Sequence, residues 1–119
     1  MTKLKDDAFS ACIKSAAELA KTLNENNKLE SPINALQQLM VITAEECGEL
    51  TQVAMKVMRK YDSADQIDSN WHTKLVEEAG DVLCMIDLMT EHGLVTSEEL
   101  HERVYVKKNK LKKWSNLIT

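Results

Sequence analysis

The 119-residue sequence has few of the residues that a β-sheet protein needs. It contains 3 Gly and 1 Pro, and aromatic residues make up 4% of it. Tight turns depend on glycine and proline, and strands favour aromatic side chains. Hydrophobic residues amount to 44% and charged residues to 29%, which is typical of a globular chain rather than a disordered one. The sequence therefore predicts one all-α domain over residues 1–119.

Long apolar runs and paired cysteines are also missing. No run approaches the roughly 20 residues that span a bilayer, and no apolar segment precedes a cleavage site near the N-terminus. We therefore expect no membrane partner and a cytoplasmic location. The three cysteines, Cys12, Cys47 and Cys84, are odd in number and form no CxxC pair, which argues against a disulfide framework or a zinc site. Each is expected to be a small buried hydrophobe.

The basic residues are distributed unevenly. From Arg103 onward the chain has six of its 15 basic residues and none of its acidic ones, so residues 1–102 hold nine basic against 19 acidic residues. A basic end of this kind can bind nucleic acid, supply cations to an anionic ligand, or remain a solvated last helical turn. Because aromatic residues do not interleave with these cations and the rest of the chain is acidic, we expect no nucleic-acid partner.

The spacing of apolar residues predicts four helices. The first three are expected at about Asp6–Leu23, Ser31–Lys60 and Trp71–His92, and the fourth runs from Thr96 towards the C-terminus and includes Trp114. Ser31 is the expected N-cap of the second helix, with Pro32 at its first position. Gly93 suits a left-handed C-cap, and Thr96 with Glu99 forms a capping box. These elements predict a structure like a four-helix bundle, with a core small enough that oligomerisation is expected.

One acidic motif occurs twice. Glu45-Glu46-Cys47-Gly48-Glu49 on the second helix is echoed 32 positions later by Glu77-Glu78-Ala79-Gly80-Asp81 on the third. Each block places two carboxylates three residues apart, which is one face of a helix. A glycine within a helix costs about 1 kcal/mol relative to alanine. We therefore expect something to approach the backbone closely at these glycines.

Both blocks set a carboxylate among apolar residues on the helical wheel. Glu46 lies in a stripe formed by Leu39, Ile42, Leu50, Val53 and Val57. Glu78 lies in an equivalent stripe formed by Trp71, Leu75, Val82, Met85 and Met89. A carboxylate in a core-facing stripe is costly unless a cation or hydrogen bonds compensate it.

Four carboxylates are hard oxygen ligands that suit Mg²⁺ or Mn²⁺, with phosphate oxygens completing the coordination. A di-iron bundle would need Glu-x-x-His, which neither block has. The alternative interpretation is two acidic helix faces that are solvated or paired with lysines.

The sequence EECGE followed by EAGD resembles the EExxE…ExxD signature of the MazG-like all-α nucleoside triphosphate pyrophosphohydrolases. The resemblance covers about residues 35–114. It implies a MazG-type fold that assembles as a dimer or tetramer. It also implies hydrolysis of an NTP or dNTP to the monophosphate and pyrophosphate, as a means of clearing unwanted nucleotides. The metal ligands carried over by position are Glu46, Glu49, Glu78 and Asp81.

Further residues are candidates for the same chemistry. Glu45 is the candidate to orient or deprotonate the attacking water, with a salt bridge as its alternative role. A basic stretch containing Lys107, Asn109 and Lys110 resembles the phosphate-holding stretch that follows the metal motif in this family. Lys56 is a candidate phosphate ligand. Trp71 is a candidate for stacking on a base, and otherwise a core residue.

Two other functions remain open from the sequence. A phosphoribosyl-ATP pyrophosphohydrolase is an all-α relative that uses similar carboxylates on a different substrate. A non-catalytic helical interaction module would use the acidic faces to bind a basic partner. Such a module would tolerate the substitution Glu46→Gln, because that change removes a costly charge.

Overall fold

The computed structural model describes residues 14–21 and 34–119. All regular structure in these ranges is helical, which confirms the all-α prediction. The described part of α1 covers residues 14–21, and a short 3₁₀ turn, Ala64–Gln66, follows α2. The remaining helices are α2 (Ala35–Lys60), α3 (Ser69–Glu91) and α4 (Ser97–Trp114). Within this part of the chain, no helix combines the length and apolar character needed to cross a membrane.

The start of α2 differs from the prediction. Asn34 is its N-cap, and the Asn34 side chain accepts a hydrogen bond from the Gln37 backbone N–H at 2.8 Å. The Gln37 side chain in turn accepts from the Asn34 backbone N–H at 3.0 Å. This reciprocal pair satisfies two backbone donors, so the helix begins there and the start predicted at Ser31 is wrong. Ser31 and Pro32 themselves lie outside the described residues, as does most of the predicted first helix.

The C-terminal end of α3 has the predicted cap, and its N-terminal end lies two residues before the predicted start. Gly93 has a φ of 75°, which is the left-handed conformation expected after the helix. Its N–H donates to the Thr90 carbonyl at 3.0 Å, and the Leu94 N–H donates to the Met89 carbonyl at 2.9 Å. These two bonds form a Schellman motif. At the other end α3 begins two residues before Trp71, because the Asp68 carboxylate accepts from the Trp71 backbone N–H at 2.9 Å.

The predicted capping box opens α4. The Glu99 N–H donates to the Thr96 hydroxyl at 3.1 Å, and the Thr96 N–H donates to the Glu99 carboxylate at 2.9 Å. The helix ends at Trp114, and its last turn contains Lys112 and Lys113. The basic side chains of that turn lie where a helix C-terminus favours positive charge.

The chain divides into two compact units, Met1–Ile86 and Asp87–Thr119. In the first unit the described residues that are buried and apolar are Ala20, Leu39, Val53 and Met85. In the second unit, which contains α4, no residue is fully buried. The predicted small core is therefore confirmed for the part of the chain that the structure describes.

The helical-wheel prediction also holds for the inward stripes of α2 and α3. Every member of the two stripes is buried or half-buried, including Glu46 and Glu78 themselves. The cysteine prediction is wrong, because Cys47 and Cys84 are exposed. On the wheel each lies about 100–120° from its stripe's central glutamate, outside the buried arc. Cys12 lies outside the described residues.

Candidate metal centre

Four acidic side chains from α2 and α3 converge in the first unit. Each of them offers one carboxylate oxygen, and these oxygens all lie within 4.8 Å of one another. Three of these side chains are half-buried and the fourth, Asp81, is exposed. We call this group the carboxylate quartet; its members are Glu46, Glu49, Glu78 and Asp81.

The side-chain pairs within the quartet define how the two helices run. Glu46 lies close to Asp81, and Glu49 lies close to Glu78, so that a proton shared within either pair raises the pKa of the glutamate on α2. The earlier residue of one motif thus pairs with the later residue of the other. This pattern is that of antiparallel helices, as expected for two helices joined by a short loop.

The electrostatics of the quartet are unfavourable without a cation. Burial raises the pKa of Glu46, and the negative charges of Glu49, Asp81 and Glu45 raise it further. Burial likewise raises the pKa of Glu49, followed by its hydrogen bond to Glu78 and the repulsion from that carboxylate. Both shifts favour the protonated form, since like charges held close together resist ionisation.

Two oxygens of the quartet are left without a partner. Glu46 Oε2 and Glu78 Oε2 are buried and accept no hydrogen bond. A buried acceptor without a donor costs roughly 1–3 kcal/mol, and more when it carries charge. A divalent cation would supply the missing interaction, and an all-carboxylate donor set is the kind that Mg²⁺ or Mn²⁺ prefers. The residues present therefore fit such an ion.

Glu45 lies close enough to act electrostatically on this centre. It is half-buried on α2, and its charge raises the pKa of both Glu46 and Glu49. It does not belong to the group whose oxygens converge within 4.8 Å. This position, beside the quartet rather than in it, suits a residue that orients or deprotonates a water molecule.

The close approach expected at the helical glycines is not seen at Gly80. A Cβ atom built there meets no other atom within 4 Å, counting the described residues that surround it. Gly80 is exposed on α3, so the packing of this chain does not require a glycine at that position.

Trp71 is half-buried at the start of α3 and has two cations at its ring. The Nζ atoms of Lys60 and Lys74 lie 5.2 and 4.6 Å from the ring centroid. Sequence analysis missed both lysines, although their wheel positions carry a signal. Each lies about 40° from the central glutamate of its helix, on the side of Glu49 or Asp81.

The loop before α3 holds Trp71 in place. The Asp68 carboxylate accepts hydrogen bonds from the Trp71 N–H and from the Tyr61 hydroxyl, both at 2.9 Å. These bonds, with that from the Trp71 N–H the larger effect, lower the pKa of Asp68. The polar stretch between α2 and α3 is thus a hydrogen-bonded connection. Its turn-forming residues predicted a loop but not these hydrogen bonds.

The other predicted substrate residues are more scattered. Lys56 is exposed on α2, seven residues and about 10.5 Å along the helix from Glu49. On α4, in the second unit, Lys107 and Lys110 are exposed and Asn109 is half-buried. The Lys107 ammonium lies 5.3 Å from the Trp114 ring centroid. A role for these four residues in binding phosphate remains a prediction.

No protein-family model matches the sequence, and no curated protein or solved structure matches it significantly. The similarity to MazG-like enzymes therefore rests on the motif residues and their spacing.

Proposed function

We propose that this chain is a MazG-like nucleoside triphosphate pyrophosphohydrolase, with a MazG-type fold, that works as a homo-oligomer in the cytoplasm. The observation that carries the proposal is the carboxylate quartet. One oxygen of each side chain lies within 4.8 Å of the others, and the Oε2 atoms of Glu46 and Glu78 are buried without a hydrogen-bond partner. Burying unpaired carboxylates destabilises a fold, so their position is best explained by a ligand of positive charge.

The quartet would hold Mg²⁺ or Mn²⁺. When bound, this ion would neutralise phosphate charge and lower the pKa of water. Glu45 orients the attacking water towards the α-phosphorus and accepts its proton. The water oxygen forms a bond to that phosphorus, the α–β phosphoanhydride bond breaks, and pyrophosphate leaves with the bonding electrons.

The remaining predicted residues bind the substrate in this proposal. Lys56, Lys107, Asn109 and Lys110 contact phosphate oxygens, for which ammonium and amide groups are suitable donors. Trp71 offers a ring for the base. The ammonium groups beside that ring add positive charge at the end of the α2–α3 pair where the helices join.

The decisive experiment is product analysis with the full chain. Purified protein is incubated with Mg²⁺ and each of a panel of NTPs, dNTPs and phosphoribosyl-ATP. We expect monophosphate and pyrophosphate from the wild type and at least a hundredfold lower turnover from Glu49→Ala. The matched control is Glu91→Gln, which alters an exposed carboxylate elsewhere on α3 and should leave turnover unchanged.

Other products would change the proposal in defined ways. Release of phosphate and a diphosphate would mean that the cleaved bond is wrong. Turnover of phosphoribosyl-ATP alone would identify the relative with that substrate. Absence of turnover, together with no Mn²⁺ binding by calorimetry, would refute the enzyme and favour a helical interaction module.

A further inference from the structure

The Trp71 ring brings together cations from two helices. Trp71 is half-buried at the start of α3, and the exposed Lys74 follows it by one helical turn. Lys60, also exposed, is the last residue of α2. The Lys60 ammonium lies 5.2 Å and the Lys74 ammonium 4.6 Å from the centroid of the ring. We call these three residues the ring cluster.

The loop that joins the two helices holds the ring cluster in position. The two oxygens of Asp68 accept one hydrogen bond each, from the Trp71 backbone N–H and the Tyr61 hydroxyl. The Tyr61 ring in turn lies 5.9 Å from the Lys60 ammonium. Among the described residues neither ammonium of the ring cluster forms an ion pair with a carboxylate. Both therefore keep N–H donors that a ligand can use.

The ring cluster lies on the same face of α3 as the carboxylate quartet. Trp71 precedes Glu78 by seven residues, which is about 10.5 Å along the helix and within about 20° on the wheel. In a nucleotide, a ribose and the α-phosphate separate the base from a metal ion bound to that phosphate. A nucleotide held at the quartet can therefore place its base on Trp71, a step that rests on the proposed function.

Stacking on Trp71 does not by itself distinguish one base from another, because every base has a π-face. Selection must come from groups at the edge of the stacked base, and the structure places two ammonium groups beside the ring. The flexible four-carbon stem of a lysine lets its ammonium turn from the ring towards that edge. An ammonium only donates hydrogen bonds, so it favours a base edge that carries acceptors.

We propose that Lys60 and Lys74 select guanine nucleotides. Guanine presents two adjacent acceptors, N7 and O6, whereas adenine presents N7 beside the N6 amino group, which is a donor. Two ammonium groups from different helices can pair with both acceptors of guanine, but with adenine one of them faces another donor. Thymine offers the O4 acceptor on the corresponding edge, and cytosine offers an amino group. The order of preference is therefore guanine, then thymine, then adenine and cytosine.

The first test compares kcat/KM for dGTP and dATP, measured with the full chain and Mg²⁺. We expect dGTP to be preferred about tenfold, the scale of one good pairing to a base edge. Lys60→Met and Lys74→Met keep an apolar stem against the ring but remove the ammonium. Each should lower the preference about threefold or more, through a loss with dGTP rather than a gain with dATP.

Two analogues and one variant serve as controls. The analogue dITP retains N7 and O6 and should behave like dGTP, whereas 7-deaza-dGTP, which has carbon in place of N7, should lose part of the preference. Lys56→Met, one turn before Lys60 on the same helix, is the matched variant. As a phosphate contact, Lys56 should affect all nucleotides alike, so this variant should leave the ratio of dGTP to dATP unchanged.

A binding measurement separates base selection from the chemistry. The chain has two tryptophans, so in a Trp114→Phe background the tryptophan fluorescence reports on Trp71 alone. With Mg²⁺ present, dGMP should quench this fluorescence at about one-tenth of the concentration that dAMP requires. Adding Lys74→Met should reduce that difference.

The outcomes distinguish a failed selection from a failed reaction. Quenching with the guanine preference but without turnover of any nucleotide would refute the proposed chemistry and support the selection. Turnover with equal kcat/KM for dGTP and dATP would overturn the selection and leave the chemistry standing. A guanine preference that survives both Lys60→Met and Lys74→Met would also overturn it. So would the absence of quenching by either monophosphate, because the base would then not reach Trp71.

Discussion

Neutralising Glu46 without changing its size should stabilise the metal-free protein. One oxygen of Glu46 lies within 4.8 Å of an oxygen of each other quartet member. Two unit charges at that distance repel by about 0.9 kcal/mol in water and about 3.5 kcal/mol at an effective dielectric constant of 20. The quartet is half-buried and exposed at Asp81, which places the repulsion nearer the lower figure. We therefore expect Glu46→Gln to raise the free energy of unfolding at pH 7 by about 1–2 kcal/mol.

The stability gained by Glu46→Gln depends on pH, and the raised pKa of Glu46 fixes the direction of that dependence. The pKa of Glu46 in the folded protein is raised, chiefly by burial and then by neighbouring carboxylates, above its ordinary value of 4.5. The folded state therefore binds more protons than the unfolded state in this range. Stability of the metal-free wild type falls as pH rises from 4.5 through the raised pKa. The advantage of Glu46→Gln should be small at pH 4 and should grow as the pH rises through the raised pKa of Glu46.

The assay is thermal unfolding by circular dichroism in EDTA, repeated with Mg²⁺. In EDTA at pH 7 a gain of about 1–2 kcal/mol corresponds to a melting temperature higher by about 4–8 °C. With Mg²⁺ the order should reverse, since a ligand at 100 times its Kd stabilises the wild type by about 2.7 kcal/mol and the variant has lost a ligand. Glu77→Gln, an exposed carboxylate of the same motif, is the control and should change little. If the metal-free variant melts below the wild type at pH 7, the electrostatic reasoning is wrong.

Three further predictions follow from single features. Gly80→Ala should raise the free energy of unfolding by about 1 kcal/mol, because the added Cβ meets no atom within 4 Å in the described structure. A lower melting temperature would mean that the added methyl group makes an unfavourable contact. Thr96→Ala should lower the urea-unfolding free energy by about 1 kcal/mol through loss of the capping box, and Thr96→Ser should restore most of it. Lys74→Ala should raise the KM for a nucleotide about tenfold with kcat little changed, whereas the exposed Lys14→Ala should alter neither; a fall in kcat with KM unchanged would mean that Lys74 acts in the chemical step.

Much of the fold could be predicted because its signals are local. The capping box at Thr96, the left-handed Gly93 and the end of α2 at Lys60 each depend on a few adjacent residues. The start of α2 could not be placed so well, since Ser31 and Asn34 are both good N-caps. Gln37, three residues after Asn34, completes the reciprocal bonds that decide between them.

The convergence of the four carboxylates could be predicted, but their surroundings could not. Glu46 and Glu78 are conspicuous on a helical wheel, because each is acidic within an apolar stripe. The positions of Lys60 and Lys74 at the Trp71 ring depend on how two helices are joined, which periodicity within one helix does not report. The exposure of Cys47 and Cys84, by contrast, could have been predicted, because on the helical wheel both lie outside the apolar stripes.

The pairing within the quartet has a geometric consequence. A rotation of half a turn that exchanges Glu46 with Glu78 also exchanges Glu49 with Asp81, and it converts each close pair of carboxyl groups into the other. The centre therefore has an internal pseudo-dyad built from one chain. Within the quartet the two halves differ by one methylene group, since aspartate at 81 stands where the other half has glutamate. A symmetric ligand would experience both halves almost alike, so the orientation of an asymmetric one must be set by groups off the axis.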